Sequence, residues 1–297
     1  MTVRITRQKI LSALAVTAAA GLFAQAPAPA PATPPPPPPP RLELPAASPA
    51  AMLKQRVGMT DIEVVYSRPG VKGRTIFGGL VPYGQVWRAG ANAATTITFS
   101  TAVKLNGTNV PAGVYALFTI PGEKEWIVIL NTNPKQWGAY QYKQADDFTR
   151  IKAAAVALAD PVETFLIDIN DIRDDSATLN LAWEKTRVTV KIEVDVVSFA
   201  VPKIEAAMAA EGPRKPYFQA AQFYFEHGLD LQKARAWIDT ALAEKANPYG
   251  LNLKAKILEK LGDNAGAVAA AKRALELNAG KDAGLAKAAE ELIARLK

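Results

Sequence analysis

Apolar side chains in this chain keep two different periods, and the change near residue 200 constrains the fold more than any other feature. From about residue 48 to residue 198 the period is two, as in DIEVVYS (61–67), TTITFS (95–100), VYALFTI (114–120), TFLIDI (164–169), SATLNLAWE (176–184) and TRVTVKIEVDVV (186–197). Side chains on a strand point alternately to opposite faces, so this spacing builds sheet. In the last run Val188, Val190, Ile192, Val194 and Val196 share one face, opposite Thr189, Lys191, Glu193 and Asp195, which predicts one solvated side. EWIVILN (125–131) is different, because Trp126, Val128 and Leu130 lie opposite Ile127, Ile129 and Asn131. It predicts a strand covered on both faces. Turns rich in Gly, Pro, Asn and Asp separate the runs: SRPG, LNGTNVPAG, IPGEKE and DINDIRDDSA. Eight or nine short strands joined in this way predict an antiparallel β-sandwich or flattened barrel over residues 48–198. Two short helical pieces are expected within it, near residues 134–138 and 146–153.

After Ala200 the period becomes helical. LDLQKARAWIDTAL (229–242) and GDNAGAVAAAKRAL (262–275) align at a shift of 33, placing Asp230 on Asp263, Ala234 on Ala267, Ala241 on Ala274 and Leu242 on Leu275. The helices before them, AAQFYFEHG and LNLKAKILEKLG, each stop at Gly. This repeat resembles the tetratricopeptide repeat, whose second helices carry small residues where neighbours approach closely. A last amphipathic run through Leu285, Ala289, Leu292, Ile293 and Leu296 would cap the stack. Residues 199–297 are therefore expected to form a short α-helical, tetratricopeptide-like array after the β domain. The resemblance implies a face of first helices that takes a protein or peptide partner, drawn from Tyr217, Gln219, Gln222, Phe223, Tyr224, Glu226, Asn252, Lys254 and Lys256.

The opening MTVRITRQKILSALAVTAAAGLFAQA has basic residues, an apolar run and then small residues. That is the pattern of a secretory signal peptide over residues 1–26, with an apolar run of about 14 residues, short of the roughly 20 that span a bilayer. Residues 27–47 are a Pro/Ala-rich linker, which favours polyproline II and acts as a spacer. A periplasmic or secreted protein is expected, with no transmembrane segment in the mature chain. Removing Arg4, Arg7 and Lys9 from a net charge of +7 leaves +4. The remaining cations are interspersed with acids, so no nucleic-acid partner is expected. The absence of cysteine excludes disulfides, thiolate metal sites and cysteine nucleophiles.

The run QRVGMTDIEVVYSRPGVKGRTIFGGLVPYGQVWRAGANAATTITFS, together with LNGTNVPAGVYALFTIPGEKEWIVILN, QWGAY and SATLNLAWEK, resembles the domain-of-unknown-function 2911 family of bacterial exported proteins. The resemblance covers roughly residues 48–196. It implies an extracytoplasmic β-rich domain, in some members followed by tetratricopeptide-like helices, and carries no activity, substrate or catalytic residue with it.

Three constellations compete for a functional role. Tyr66, Arg68, Lys72, Arg74, Trp87, Arg88 and Asn92 lie in two loops that would share one end of the sheet. Guanidinium forks beside hydroxyl and amide groups suit an anionic or polyhydroxylated ligand. Packing of the sheet end is the competing reading, with Trp87 as a plug and Arg88 satisfying loop carbonyls. Trp126, Trp137, Tyr140 and Tyr142, with Asn131, Gln136 and Gln141, suit stacking on a sugar ring, although Trp126 alternates into the core and leaves Trp137 and Tyr140 as the surface rings. Asp168, Asn170, Asp171, Asp174 and Asp175 lack EF-hand spacing and read as a solvated turn, with no metal expected. His227, at a helix end, reads as a cap. No nucleophile motif, phosphate loop or dinucleotide fingerprint occurs, so no catalytic residue and no cofactor are assigned. The expected function is an exported binding or scaffold protein. The alternative is a cell-envelope carbohydrate-binding module or carbohydrate-active enzyme, the latter needing two carboxylates about 5–10 Å apart beside Arg88.

Overall fold

The computed structural model describes residues 44–212 and 214–296. The expected signal peptide and most of the expected linker lie outside the described residues. Among the described residues nine antiparallel strands come first: β1 (Ala50–Val57), β2 (Thr60–Ser67), β3 (Thr95–Phe99), β4 (Val103–Leu105), β5 (Thr108–Val110), β6 (Gly113–Ile120), β7 (Glu125–Asn131), β8 (Asp147–Asn170) and β9 (Ser176–Val194). They form one open sheet in the order β1-β2-β3-β6-β7-β8-β9-β4-β5.

The long strands β8 and β9 turn this sheet into an enclosure. Residues 147–154 of β8 pair with β7, and residues 155–170 pair with β9. One strand thus belongs to both halves, which fold over a shared core. Ile62, Val64, Ile97, Leu117 and Val128 from the first half meet Phe165, Leu179, Leu181 and Val190 from the second, all buried. The gap opposite β8 is bridged beyond β2. The Tyr66 hydroxyl donates to the Ile167 carbonyl at 3.2 Å and accepts from the Ile167 N–H at 3.1 Å. Phe165 N–H donates to the Pro69 carbonyl at 2.9 Å. The expected sandwich or flattened barrel is therefore a folded open sheet.

β7 is covered on both faces, as its sequence predicts. Trp126, Val128 and Leu130 enter the main core, while Ile129 joins Ala94, Ala116 and Phe118 in a smaller cluster on the outer face. The inward face of β9, Val188, Val190, Ile192 and Val194, is also buried. Neither expected helical piece forms over its residues, although a single 3-10 turn at Gln144–Asp146 touches the start of the second. Residues 147–153 are strand because Trp126 pairs with Ala153 and Val128 with Ile151, and burial of Ile151 and Ala153 outweighs the helix preference of the alanines. Residues 134–138 are loop, held by Gln136 rather than by a helical ladder.

Six α-helices follow among the described residues: α1 (Val196–Ala209), α2 (Tyr217–Glu226), α3 (Leu231–Glu244), α4 (Pro248–Lys260), α5 (Asn264–Asn278) and α6 (Ala283–Leu296). The aligned aspartates explain where the second helices start. Asp230 accepts from Gln232 N–H and Lys233 N–H, and Asp263 accepts from Gly266 N–H, so each caps the helix that follows it. Asp195 caps α1 in the same way through Ser198 N–H. Val196, Ala200 and Phe223 pack against the β core, which joins the first two helices to the sheet. Among the described residues no helix is long and apolar enough to cross a membrane.

Candidate functional site

The two loops that cover the outer face of β3, β6 and β7 are built by backbone pairing. Trp87 and Thr119 exchange both backbone bonds, at 2.7 and 2.8 Å, so the segment before β3 runs beside β6. Ala94 N–H then donates to the Gln136 carbonyl at 3.0 Å, and Gly138 N–H donates to the Asn92 carbonyl at 3.0 Å. These bonds lay residues 92–94 against residues 136–138. Between them the chain reverses tightly, with Ala89 at φ 48°, Asn92 at φ 58° and Gly90 at φ 152°. A side chain at Gly90 would begin 2.9 Å from the Ser67 carbonyl, so the reversal requires glycine.

The sequence-expected residues separate into two groups on this scaffold. Tyr66 is buried and bridges to β8, as above. Arg68 Nε donates to the Phe165 carbonyl at 2.9 Å, and Arg74 donates to the carbonyls of Val71 and Gly70 at 3.0 and 2.6 Å. The Trp87 indole donates to the Gly90 carbonyl at 3.1 Å, inside a cluster with Phe77, Trp126, Phe165 and Trp183. Asn92 Nδ2 donates to the Ser48 carbonyl and Ser67 Oγ, each at 3.3 Å. Lys72 takes a positive φ and reaches the Ala47 carbonyl at 3.5 Å. Each of these residues has at least one polar side-chain atom bonded within the fold.

Arg88, Trp137 and Tyr140 form the second group. Trp137 is 65% exposed and Tyr140 86% exposed. The Tyr140 ring lies over Gly138, where an added Cβ would begin 2.7 Å from the ring. Arg88 is partly buried, and its Nε is sequestered from solvent with no acceptor among the described residues. Burial pushes the Arg88 guanidinium down from its ordinary value, while nearby Tyr140 acts in the opposite direction. The Gln136 side-chain oxygen is likewise buried without a donor.

A clamp that no local pattern in the sequence marks stations the second loop. Tyr142 donates to Asp147 Oδ2 at 2.6 Å, Arg150 donates to the same oxygen at 2.8 Å and to the Tyr142 hydroxyl at 2.7 Å, and Asn131 Nδ2 donates to Asp147 Oδ1 at 2.9 Å. Burial first, and then the bond to Asp147, push the Tyr142 phenol up to about 12. A phenol raised above its unfolded value of about 10 contributes stability that is complete below that pH and is lost as pH rises through about 12. A tyrosinate absorbance titration is expected to show Tyr142 ionising late. Asp147→Asn is expected to bring that step earlier, and an unchanged step would refute the clamp.

The remaining carboxylates lie elsewhere. A cavity of about 390 Å³ is lined by Asp175, Glu193 and Asp195, with Lys104 and Asn109 from β4 and β5, and not by the loops that carry Arg88. Ser176 Oγ donates to Asp175, Lys191 Nζ to Glu193 and Ser198 N–H to Asp195. The bonds from Ser198 hold the Asp195 carboxyl below the usual range, the wrong direction for a general acid. In the Asp-rich turn, Asp168 accepts from Asn170 and Asn180, and Asp171 from Thr178. Among the described residues no three or more His, Asp or Glu side chains are grouped so as to hold a metal ion. His227 ends α2 and lies against Phe223, with ring centroids 4.2 Å apart.

In the helical part, Phe218, Gln222 and Phe225 of α2 face Tyr249, Asn252 and Lys256 of α4 across a cavity of about 170 Å³. Asn252 presents a side-chain oxygen that is buried and has no donor. Tyr224 instead packs on Trp237, and Lys254 pairs with Asp239 at 2.6 Å. Phe223 is used at the junction with the sheet. No curated protein and no solved structure matches the chain. Residues 48–192, the β domain, match the family model described as "Protein of unknown function (DUF2911)".

Proposed function

We propose that the protein is an exported binding or scaffold protein whose helical array holds a peptide segment of a partner between α2 and α4. The observation that carries this reading is the shared cavity of the two first helices, which combines aromatic walls with an unsatisfied amide oxygen at Asn252 and a cation at Lys256. A buried acceptor without a donor costs free energy unless a ligand supplies one, and a peptide N–H is a ready donor. The array is read as tetratricopeptide-like. Support comes from the 33-residue shift, the repeated aspartate caps, and the contacts of α2 with α4 and of α4 with α6, which put the first helices on one side. Export rests on the signal-peptide pattern of residues 1–26 and the Pro/Ala-rich spacer after it.

A peptide library selected against the purified chain tests this. Selected peptides are expected to lose about tenfold or more in affinity with Asn252→Leu or Lys256→Glu, the cost of losing one hydrogen bond to a charged or buried partner. Peptides that bind both variants as tightly as the parent would remove the groove from the account.

A further inference from the structure

We propose that Arg88, Trp137 and Tyr140 form a second site, which binds an acidic saccharide through a ring-borne carboxylate. The site is separate from the groove between α2 and α4, so either can fail without the other. Three observations converge on this ligand class. The first is charge: Arg88 is partly buried, its Nε has no acceptor, and it forms no ion pair among the described residues. A desolvated guanidinium is stabilised by an anion that accepts its parallel N–H bonds, and a carboxylate matches that fork.

The second observation is the electrostatic setting. The loop segments 79–95 and 131–145 contain Arg88, Lys135 and Lys143 and no aspartate or glutamate. Lys135 and Lys143 are exposed, and the nearest acids in sequence, Asp146 and Asp147, follow the second segment, Asp147 being paired with Arg150, so the two segments themselves carry only positive charge.

The third is the pair of rings. Trp137 and Tyr140 are exposed, the Trp137 backbone bridging to Ala93 and the Tyr140 ring lying over Gly138. Exposed aromatic faces suit the C–H face of a pyranose. The same loop carries exposed amide side chains at Asn133 and Gln141. A rim of amides and ammonium groups fits hydroxyls better than it fits an apolar protein surface.

Titration calorimetry on the purified chain with oligosaccharides of galacturonate, glucuronate and N-acetylmuramic acid tests the proposal, with methyl-esterified forms and polyglutamate as controls. At least one acidic saccharide is expected to bind saturably, about tenfold or more tighter than its ester, the equivalent of one charge-assisted hydrogen bond. Trp137→Ala and Arg88→Gln are each expected to weaken binding by a similar factor with an unchanged Tm, whereas Tyr83→Ala is not. Trp137 is a surface residue, so its variant reports on the site even if Arg88→Gln destabilises the loop. The proposal is overturned if none of the acidic saccharides saturates, if ester or polyglutamate binds equally well, or if Trp137→Ala binds like the parent. Concentration-dependent self-association that disappears in Trp137→Ala, without saccharide binding, would assign the patch to a second copy instead.

Discussion

Replacing Trp87 by alanine is expected to lower the unfolding free energy by about 3–5 kcal/mol, the range for removing a large aromatic side chain from a packed core. Trp87 is 7% exposed and stacks on Trp183 with ring centroids 5.7 Å apart and planes 16° from parallel. Phe77, Trp126 and Phe165 meet it edge-on. Alanine would leave a cavity that these rings cannot close without giving up their own geometry, and the Gly90 carbonyl would lose its indole donor. For a chain of this size the loss corresponds to roughly 6–20 °C in Tm. Trp87→Phe keeps most of the ring contact and loses the hydrogen bond, so a cost of about 1–3 kcal/mol is expected. Chemical denaturation monitored by near-ultraviolet circular dichroism reads both the free energy and the coupled Trp87–Trp183 pair. A change below about 1 kcal/mol for Trp87→Ala would show that the cluster relaxes around the gap. The same substitution bears on the ligand surface, because Trp87 and Arg88 are neighbours on a segment paired to β6. Anchoring the indole in the core is what presents the guanidinium on the opposite face.

The period-two runs made the strands and their buried faces legible, since the alternation of Val188 to Val194 and the two-sided apolarity of β7 depend only on local spacing. Two kinds of information were not local. IKAAAVALAD, within β8, carries alanines that favour helix, and it becomes strand because its first residues pair with β7 and residues 155–157 pair with β9. Arg88 and Tyr140 are distant in sequence and share a surface only because Ala93 bridges to Trp137 and Gly138 bonds to Asn92. The residue types of the candidate site were therefore visible, whereas the division between engaged and unengaged members was not. Arg68 and Arg74 looked as free as Arg88 until their carbonyl acceptors were placed. The helical repeat was legible from Asp230 and Asp263. Asp195, which caps α1 likewise, was hidden because it alternates with Val194 and Val196 as the tail of a strand.

Gly58→Ala is expected to destabilise the protein by roughly 2–5 kcal/mol, combining the cost of a left-handed residue with that of overpacking. Gly58 sits in the turn between β1 and β2 at φ 53°, and an added Cβ would begin 2.5 Å from the Asp174 carbonyl and 2.6 Å from Val196 Cγ2. The first contact is with backbone of the turn between β8 and β9, and the second is with the first residue of α1. Neither is the free end of a flexible side chain, so the turn or the helix start must move. Gly107→Ala separates the two costs, because Gly107 also has positive φ, at 81°, but has open space where a Cβ would go. It is expected to lose only the backbone contribution, about 1–2 kcal/mol. The excess at Gly58 should also have a location. Beside this turn a cavity of about 490 Å³ is lined by Met59, Ile172, Phe223 and His227, so the sheet meets α1 and α2 there through few side chains. Hydrogen exchange in Gly58→Ala is expected to rise at the start of α1 and in α2 while β6 and β7 keep their protection. Equal losses for Gly58→Ala and Gly107→Ala, or an increase spread evenly over the sheet, would show that the close approach at Gly58 does not lock the helices to the β domain.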